Sequence, residues 1–193
     1  MPETQKDEAS REAILQAARR VFQKWGLNKT TMEDIAREAG KGKSTLYYYF
    51  ESKDEIFDTL LEIEIGALLT RAKAAVAAVD SAKEKLRSYV VASLAELKNT
   101  AALYDIVRGE MRGNPHFLEK ITEKFAAGEL KFMKEILALG VKQRSFRFAD
   151  DKELDLAARV VLDLVRSMEL YLFLENYNSE HVDMAARLIA NGI

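Results

Sequence analysis

The sequence predicts an all-α protein, in which three helices form a small N-terminal head and further helices form a larger bundle-like body. Only two prolines and nine glycines interrupt the 193 residues, which favours long helices over a turn-rich β fold. Apolar residues recur at steps of three and four along most of the chain, as in amphipathic helices. Short polar residues that suit helix N-termini separate these periodic segments.

The composition excludes several classes of site. Hydrophobic residues make up 48% of the chain and charged residues 31%, which is enough for a substantial core. The chain contains no cysteine, so disulfides, thiolate metal sites and cysteine nucleophiles are excluded. No apolar run is long enough to cross a bilayer, and the first ten residues lack the apolar region of a signal peptide. We therefore expect a cytoplasmic protein with no membrane partner.

The charge is distributed unevenly between the two predicted parts. The whole chain carries a net charge of −2, and its pI is about 5.9. Residues 1–53 contain ten Lys or Arg against eight Asp or Glu, whereas the rest contains nineteen against twenty-three. A nucleic-acid site in the head and an ordinary solvated surface both fit this mild asymmetry.

The first predicted helix carries a single apolar stripe. Its members recur at steps of one, three and four, and they are Ala13, Ile14, Ala17, Ala18, Val21, Phe22 and Trp25. Gly26 follows the last member and suits a left-handed C-cap, after which Leu27 can fold back on the last turn.

The second and third predicted helices are short, and a tight turn joins them. Thr31 suits the N-cap of the second helix, with Asp34 three residues later as a carboxylate variant of the capping box. The second helix ends at Gly40, and residues 41–43 are too few for anything but a turn. The third helix then spans about residues 43–50.

The third helix contains three consecutive tyrosines. At 3.6 residues per turn, Leu46 and Phe50 share one face and anchor the helix in the core. Tyr49 lies at the boundary of that face, and the outward side chains are Ser44, Thr45, Tyr47 and Tyr48. Two short helices with a glycine-containing turn and a polar-aromatic outer face describe a helix-turn-helix. Ser44 and Thr45 also suit an N-cap, which is the alternative to a contact role.

The body is predicted to contain six helices, which follow the head almost directly. They cover about residues 54–79, 81–100, 102–112, 115–141, 151–175 and 179–193. Their N-terminal residues are Ser52 or Asp54, Asp80 or Ser81, Asn114 before Pro115, Asp150 or Asp151, and Asn178 or Ser179. We place the domain boundary between an N-terminal domain of residues 1–53 and a C-terminal domain of residues 54–193.

Residues 30–57, TTMEDIAREAGKGKSTLYYYFESKDEIF, closely resemble the DNA-binding segment of the TetR family of bacterial transcriptional regulators. The resemblance rests on matches in register at Thr30-Thr31, Asp34-Ile35-Ala36, Gly40, Thr45-Leu46-Tyr47, Tyr49-Phe50, Ser52-Lys53 and Ile56-Phe57. The chain departs from the family pattern after the turn glycine, where Lys-Gly-Lys-Ser at 41–44 replaces the common Val-Ser-Lys-Gly. The rest of the chain agrees with the family in being helical and of suitable length.

The resemblance implies a set of contacts with a double-stranded DNA operator. Family members bind phosphates through the positions that match Thr31, Thr45, Tyr49 and Lys53. The positions that match Lys43, Ser44, Tyr47 and Tyr48 contact base edges or the nearby backbone. These residue types suit both tasks, since tyrosine offers an apolar ring for thymine methyls and a hydroxyl for phosphate, and lysine offers charge.

The resemblance also implies a homodimer that binds a pseudo-palindromic operator. The segment 157–174, together with the last helix, is the best candidate for the dimer interface because it is apolar nearly all round. The interface residues expected there are Val161, Leu162, Val165 and Leu172. A buried central helix within one protomer is the alternative for this segment.

The resemblance further implies a small-molecule effector that binds the body and releases a repressor from its operator. Three body tyrosines offer an apolar ring with a hydrogen-bonding tip, namely Tyr89, Tyr104 and Tyr171. Phe117, Phe125 and Met168 are candidates for the apolar wall. This mixture favours an apolar or aromatic effector. An ordinary core is the alternative for all six.

A second class of function is an all-helical enzyme or binding protein in which the helix-turn-helix is incidental. Catalysis needs convergent titratable groups, and the chain offers few. His116 and His181 are far apart in sequence, no Glu-x-x-His pair occurs, and no glycine-rich phosphate loop is present. We therefore expect a regulator with no enzyme activity, no metal and no cofactor.

Overall fold

The computed structural model describes residues 2–95, 117–174 and 179–192, and these residues form helices joined by short connections. The chain divides into two compact units. Within the described residues, the first unit contains 2–64 and 117–121, and the second contains 65–95, 122–174 and 179–192. The all-α prediction is confirmed. No helix in the described ranges is both long and apolar enough to cross a membrane.

The first unit contains α1 (Pro2–Lys29), α2 (Met32–Glu38), α3 (Lys43–Tyr49) and the first part of α4 (Lys53–Ala77). Because α4 runs from the first unit into the second, the change of unit after residue 64 falls within a helix. The domain boundary between residues 53 and 54 stays a prediction. The core of this unit includes Ile14, Ala17, Ala18, Phe22, Leu27, Ile35, Leu46, Phe50, Ile56 and Phe57.

The expected break in the first helix occurs at Gly26. Its φ of 75° and ψ of 167° lie in a region that glycine alone adopts readily, so this is a sharper change of direction than a left-handed C-cap. Leu27 is buried just after the break. Trp25 was expected in the buried stripe, but 40% of it is exposed, because the chain turns here and Leu27 takes the core position. The Lys24 ammonium lies 5.1 Å from the centre of the Trp25 ring.

The second unit contains the end of α4, α5 (Ala82–Ala95), most of α6 (Phe117–Lys142), α7 (Asp151–Leu174) and α8 (Ser179–Gly192). Helix α5 is central, because it packs against both α8 and α7. The buried side chains of this unit include Ala72, Val76, Leu86, Tyr89, Val90, Leu94, Met133, Ile136, Leu137, Phe146, Ala158, Val161, Val165, Val182 and Ala186.

Three of the predicted N-caps are confirmed by hydrogen bonds from the backbone to the capping side chain. Ser52 Oγ accepts from Glu55 N at 3.1 Å, Ser81 Oγ from Glu84 N at 3.2 Å, and Asp150 Oδ1 from Glu153 N at 2.9 Å. These bonds satisfy amide groups that have no partner within the helix. The predicted helix at 102–112 and the predicted cap at Asn114-Pro115 lie outside the described residues.

The end of α6 closes against the loop that follows it. Ser145 N donates to Gly140 O at 2.8 Å and Arg144 N donates to Val141 O at 3.0 Å, which together form a Schellman motif. Arg144 occupies the left-handed position with a φ of 59°. The chain then returns so that the buried ring of Phe146 lies against the backbone of Gly140. A side chain at Gly140 would occupy the space of that ring.

We expect Gly140→Ala to lower the free energy of unfolding by about 1–3 kcal/mol, because the added methyl group overlaps the Phe146 ring. Gly128→Ala in the same helix is the matched control. No atom lies within 4 Å of the position that its methyl group would take, so the higher helix propensity of alanine stabilises it by up to about 1 kcal/mol. Denaturant unfolding of both variants measures the difference. Equal stability of the two would contradict the proposed packing of Phe146.

Candidate functional site

The candidate nucleic-acid interface is built by the turn between α2 and α3. Thr31 caps α2, since its Oγ1 accepts from Asp34 N at 3.2 Å while the Asp34 carboxylate accepts from Thr31 N at 3.1 Å. The capping box is confirmed. Gly40 ends α2 with a φ of 61°, and Lys41 N donates to Ala36 O at 3.0 Å. This left-handed residue reverses the chain within a few residues and sets the start of α3.

Burial of two residues fixes which face of α3 points outward. Leu46 is fully buried and Phe50 is 2% exposed, as the helical spacing predicts. Tyr48 is 74% exposed and Tyr47 46% exposed, while Ser44 is exposed and Thr45 and Tyr49 are half-buried. The rings of Tyr48 and Tyr49 meet edge to face, with their centres 4.9 Å apart. The outer face of α3 therefore presents aromatic rings and hydroxyl groups to solvent.

Lys43, at the start of α3, forms an ion pair with Glu33 in the first turn of α2. Its ammonium also lies 5.8 Å from the centre of the Tyr47 ring. The hydrogen bond from Lys43 lowers the pKa of Glu33, and the same bond to Glu33 raises the pKa of Lys43, so both groups are charged at neutral pH. Sequence reasoning missed Glu33, because its partner lies ten residues away across the turn.

Carboxylates also accept hydrogen bonds from two of the hydroxyl groups that are predicted to contact DNA. Tyr49 Oη donates to Asp7 Oδ1 of α1 at 2.7 Å, and this hydrogen bond raises the pKa of Tyr49. The Thr31 hydroxyl donates to Asp34 Oδ2 at 2.6 Å, and hydrogen bonds from Thr31 lower the pKa of Asp34. A phosphate that binds either hydroxyl would therefore compete with a carboxylate.

Lys53 occupies a position that the sequence did not reveal. Its ammonium donates to three backbone oxygens, to Leu27 O at 2.8 Å, Thr30 O at 3.0 Å and Asn28 O at 3.2 Å. An ammonium group has three N–H donors, so these bonds use all of them. The bonds tie the start of α4 to the connection between α1 and α2. The phosphate contact of Lys53 stays a prediction, and it would need some of these bonds to be exchanged.

In the second unit, Tyr89 belongs to a polar cluster that runs from the apolar core toward the surface. Tyr89 is 2% exposed, and its hydroxyl donates to Glu129 Oε1 at 2.8 Å. Arg166 donates to the other oxygen of the same carboxylate at 3.0 Å. The ring of Phe132 lies 6.1 Å from that of Tyr89. Sequence reasoning missed Glu129 and Arg166, because they lie 37 residues apart on different helices.

The other residues predicted for the effector site are only partly described. Phe125 and Met168 are half-buried. Tyr104 lies outside the described residues, and so do the side chains of Phe117 and Tyr171. One open cleft of about 630 Å³ lies elsewhere in the second unit, between the end of α4, α5 and α8, and its wall includes Val79, Arg87, Val91, Val182 and Asp183. It was not foreseen from the sequence.

Three of the four residues predicted for the dimer interface lie on the inner face of α7. Val161, Leu162 and Val165 are 2%, 4% and 2% exposed within the single protomer, so the alternative of a buried helix holds for this face. The side chain of Leu172 is outside the described residues. The outer face of α7 nevertheless carries its own apolar row, with Leu156 61%, Val160 48% and Leu164 47% exposed. In α8, Met184 and Leu188 are 49% and 66% exposed.

Comparison with known proteins places this architecture in a family. The family model for bacterial regulatory proteins of the tetR family matches residues 14–60, from the middle of α1 to the first two turns of α4. The HTH-type transcriptional repressor KstR2 of Mycolicibacterium smegmatis is 31% identical over 166 residues, which cover 84% of this chain and 79% of that protein.

Two solved structures share the fold over nearly the whole chain. FadR of Bacillus subtilis, solved in complex with stearoyl-CoA, has a TM-score of 0.72 at 21% identity and covers 94% of this chain and 98% of its own. The ketosteroid transcriptional regulator KstR2 of Mycobacterium tuberculosis has a TM-score of 0.60 at 24% identity, with 95% and 94% covered.

A helix-turn-helix head on a helical body defines a DNA-binding transcriptional regulator. The chain belongs to the TetR family of bacterial regulatory proteins. The prediction of a sequence-specific regulator of the repressor type, made from residues 30–57, is thereby confirmed.

We expect Lys53→Met to lower the free energy of unfolding by on the order of 2 kcal/mol, because three backbone oxygens lose a charged donor. Lys29→Met, an exposed lysine of the same region, is the control and should unfold as the wild type does. Denaturant unfolding measures both. A Lys53→Met variant as stable as the control would show that these three hydrogen bonds do not support the head.

Proposed function

We propose that the protein is a homodimeric repressor that binds a pseudo-palindromic operator and is released from it by a large apolar effector. The observation that carries the proposal is the outer face of α3, where tyrosines, hydroxyl groups and Lys43 are exposed on a helix held by buried anchors. In this scheme residues 1–53 are the DNA-binding domain and residues 54–193 bind the effector and the second protomer.

The proposed DNA contacts follow the exposure of the side chains. Tyr47 and Tyr48 are the most exposed aromatic side chains of α3, so we assign them with Lys43 and Ser44 to base edges or the adjacent backbone. The phosphate contacts are assigned to Thr31, Thr45, Tyr49 and Lys53. Phosphate contacts fix the register of the head on the duplex, and base-edge contacts select the sequence.

We assign the dimer interface to the exposed apolar rows of α7 and α8. Leu156, Val160 and Leu164 follow one another at steps of four residues, and Met184 and Leu188 are also four apart, so each row lies on one face of its helix. Exposed apolar rows of this kind are typical of surfaces that another protein covers. A two-fold dimer would place two heads on two half-sites, which operator specificity requires.

The effector class rests on two relatives and on the chemistry of the core of the second unit. FadR of Bacillus subtilis was solved with stearoyl-CoA, and KstR2 of Mycobacterium tuberculosis is described as a ketosteroid regulator. Both names point to ligands with a large apolar part. In this chain the buried ring of Tyr89 lies beside Phe132, and its cluster with Glu129 and Arg166 suits the single polar group of an otherwise apolar ligand.

We expect Leu164→Glu to shift the protein from dimer to monomer at micromolar concentration, because the two-fold axis would bring carboxylates onto an apolar contact. Operator affinity should fall on the order of 100-fold or more, since a single head reads only one half-site. Val141→Glu, at a residue 41% exposed on α6, is the matched control and should stay dimeric. Analytical ultracentrifugation and operator titration measure the two effects. If Leu164→Glu remains dimeric, the assignment of α7 to the dimer interface is wrong.

An operator obtained by selection from random duplexes tests the whole scheme. We expect the selected sequence to be a pseudo-palindrome, and stearoyl-CoA or a ketosteroid to release it, whereas free CoA does not. An effector shifts the equilibrium only by its preference for the released state, so binding and release are measured separately.

Tyr89→Phe keeps the ring but removes the hydroxyl, so we expect it to weaken the response to effector while operator binding remains unchanged.

In the selection from random duplexes, failure to select any sequence would contradict the DNA-binding function. Selection without release by either ligand would contradict the effector class alone.

A further inference from the structure

The ion pair between Glu33 and Lys43 joins the two helices of the helix-turn-helix at the exposed surface. The side chains of Lys43 and Glu33 are 58% and 53% exposed, so the pair is open to solvent. The Lys43 ammonium lies beside the ring of Tyr47, which belongs to the outer face of α3. Glu33 thus reaches the surface that we propose for DNA binding, although it lies on the other helix.

We propose that Glu33 is a specificity-determining residue, which reads one G·C base pair in each half-site together with Lys43. The inference rests on the proposed function. In the major groove, guanine presents two acceptors, N7 and O6, that suit a lysine ammonium, whereas cytosine presents the N4 amino group, which donates to a carboxylate. Because the ends of the two side chains are in contact, a base edge that one reaches lies within about one 3.4 Å base step of the other.

The carboxylate adds discrimination that the lysine alone lacks. An ionised glutamate only accepts hydrogen bonds, so it is left opposed to acceptors when guanine or thymine replaces cytosine. It also repels the phosphate backbone wherever no donor compensates its charge. Glu33 therefore disfavours wrong sequences as well as favouring the right one, which is how specific interfaces exclude competing partners.

The pair also has a consequence for binding to non-specific DNA. While Glu33 neutralises Lys43, this lysine contributes little to the release of counterions from the duplex. Removal of the Glu33 charge frees the Lys43 ammonium to neutralise a phosphate. The slope of log affinity against log salt should then become steeper by about 0.9 for each head. A purely structural ion pair would show the same change of slope, but it would leave the base preference unchanged.

The test compares Glu33→Gln with Glu38→Gln in the full-length protein. Glu38 is the matched control, since it is an exposed glutamate of the same helix, but its partner is Arg20 of α1 at 2.7 Å. Each protein is used to select duplexes from a random pool. Its affinity is then measured on the selected operator, on operators with single base-pair changes, and on random duplex at several salt concentrations.

We expect Glu33→Gln to weaken the preference for the G·C pair at one position of each half-site, because only Lys43 then reads that pair; the contribution lost is about 5- to 150-fold. On random duplex its salt slope should be steeper, while Glu38→Gln matches the wild type in both measurements. Lys43→Gln is the second variant, and it should lose the preference for guanine at the same base pair.

Three results would overturn the inference. One is that Glu33→Gln keeps the wild-type preference at every position, and another is that Lys43→Gln loses preference at a different base pair. The third is a wild type that selects no sequence, and this one would also overturn the proposed function. The first two leave DNA binding itself intact, so the two failures are distinguishable.

Discussion

The recognition surface depends on the burial of Leu46 and Phe50. Helix α3 has seven residues, and a helix of that length is not stable in water on its own. Its orientation is therefore set by these two side chains in the core of the first unit, where the rings of Phe22 and Phe57 also meet edge to face at 5.4 Å. With one face fixed inward, Tyr47 and Tyr48 must point outward, because helical geometry leaves them no other direction.

Intramolecular carboxylates hold several groups that would contact DNA. Glu33 binds Lys43, Asp7 binds Tyr49 and Asp34 binds Thr31. These contacts reduce the freedom of the side chains before DNA arrives, which lowers the entropic cost of binding. They also bring negative charge close to the proposed phosphate path. A head arranged in this way should bind weakly to DNA in general and should depend on a fitting sequence to replace the lost contacts.

Helix α7 combines two apolar surfaces. The inner residues Val161 and Val165 fill the core of the second unit, whereas Val160 and Leu164 are about half exposed. The apolar residues of this helix thus serve both folding and, in our proposal, association with a second copy. In the cluster of Tyr89, Glu129 and Arg166, the partly buried carboxylate is tolerated because a hydrogen bond and an opposite charge accompany it.

The sequence by itself determined the features that depend on neighbours three or four residues apart. These are the helices, the caps at Thr31 and Ser52, the break at Gly26 and the inward face of α3, because backbone hydrogen bonds and the helical period act over that range. Together with the motif at 30–57, they were sufficient to predict the fold class and the family.

Only the tertiary structure decided which distant groups meet. Lys43 and Glu33 are 10 residues apart, Lys53 and Leu27 are 26 apart, and Tyr49 and Asp7 are 42 apart. The two apolar faces of α7 could not be told apart for the same reason, because the local spacing gives no sign of which of them the core will cover. Such contacts depend on how whole helices pack, and no local spacing in the chain encodes that arrangement.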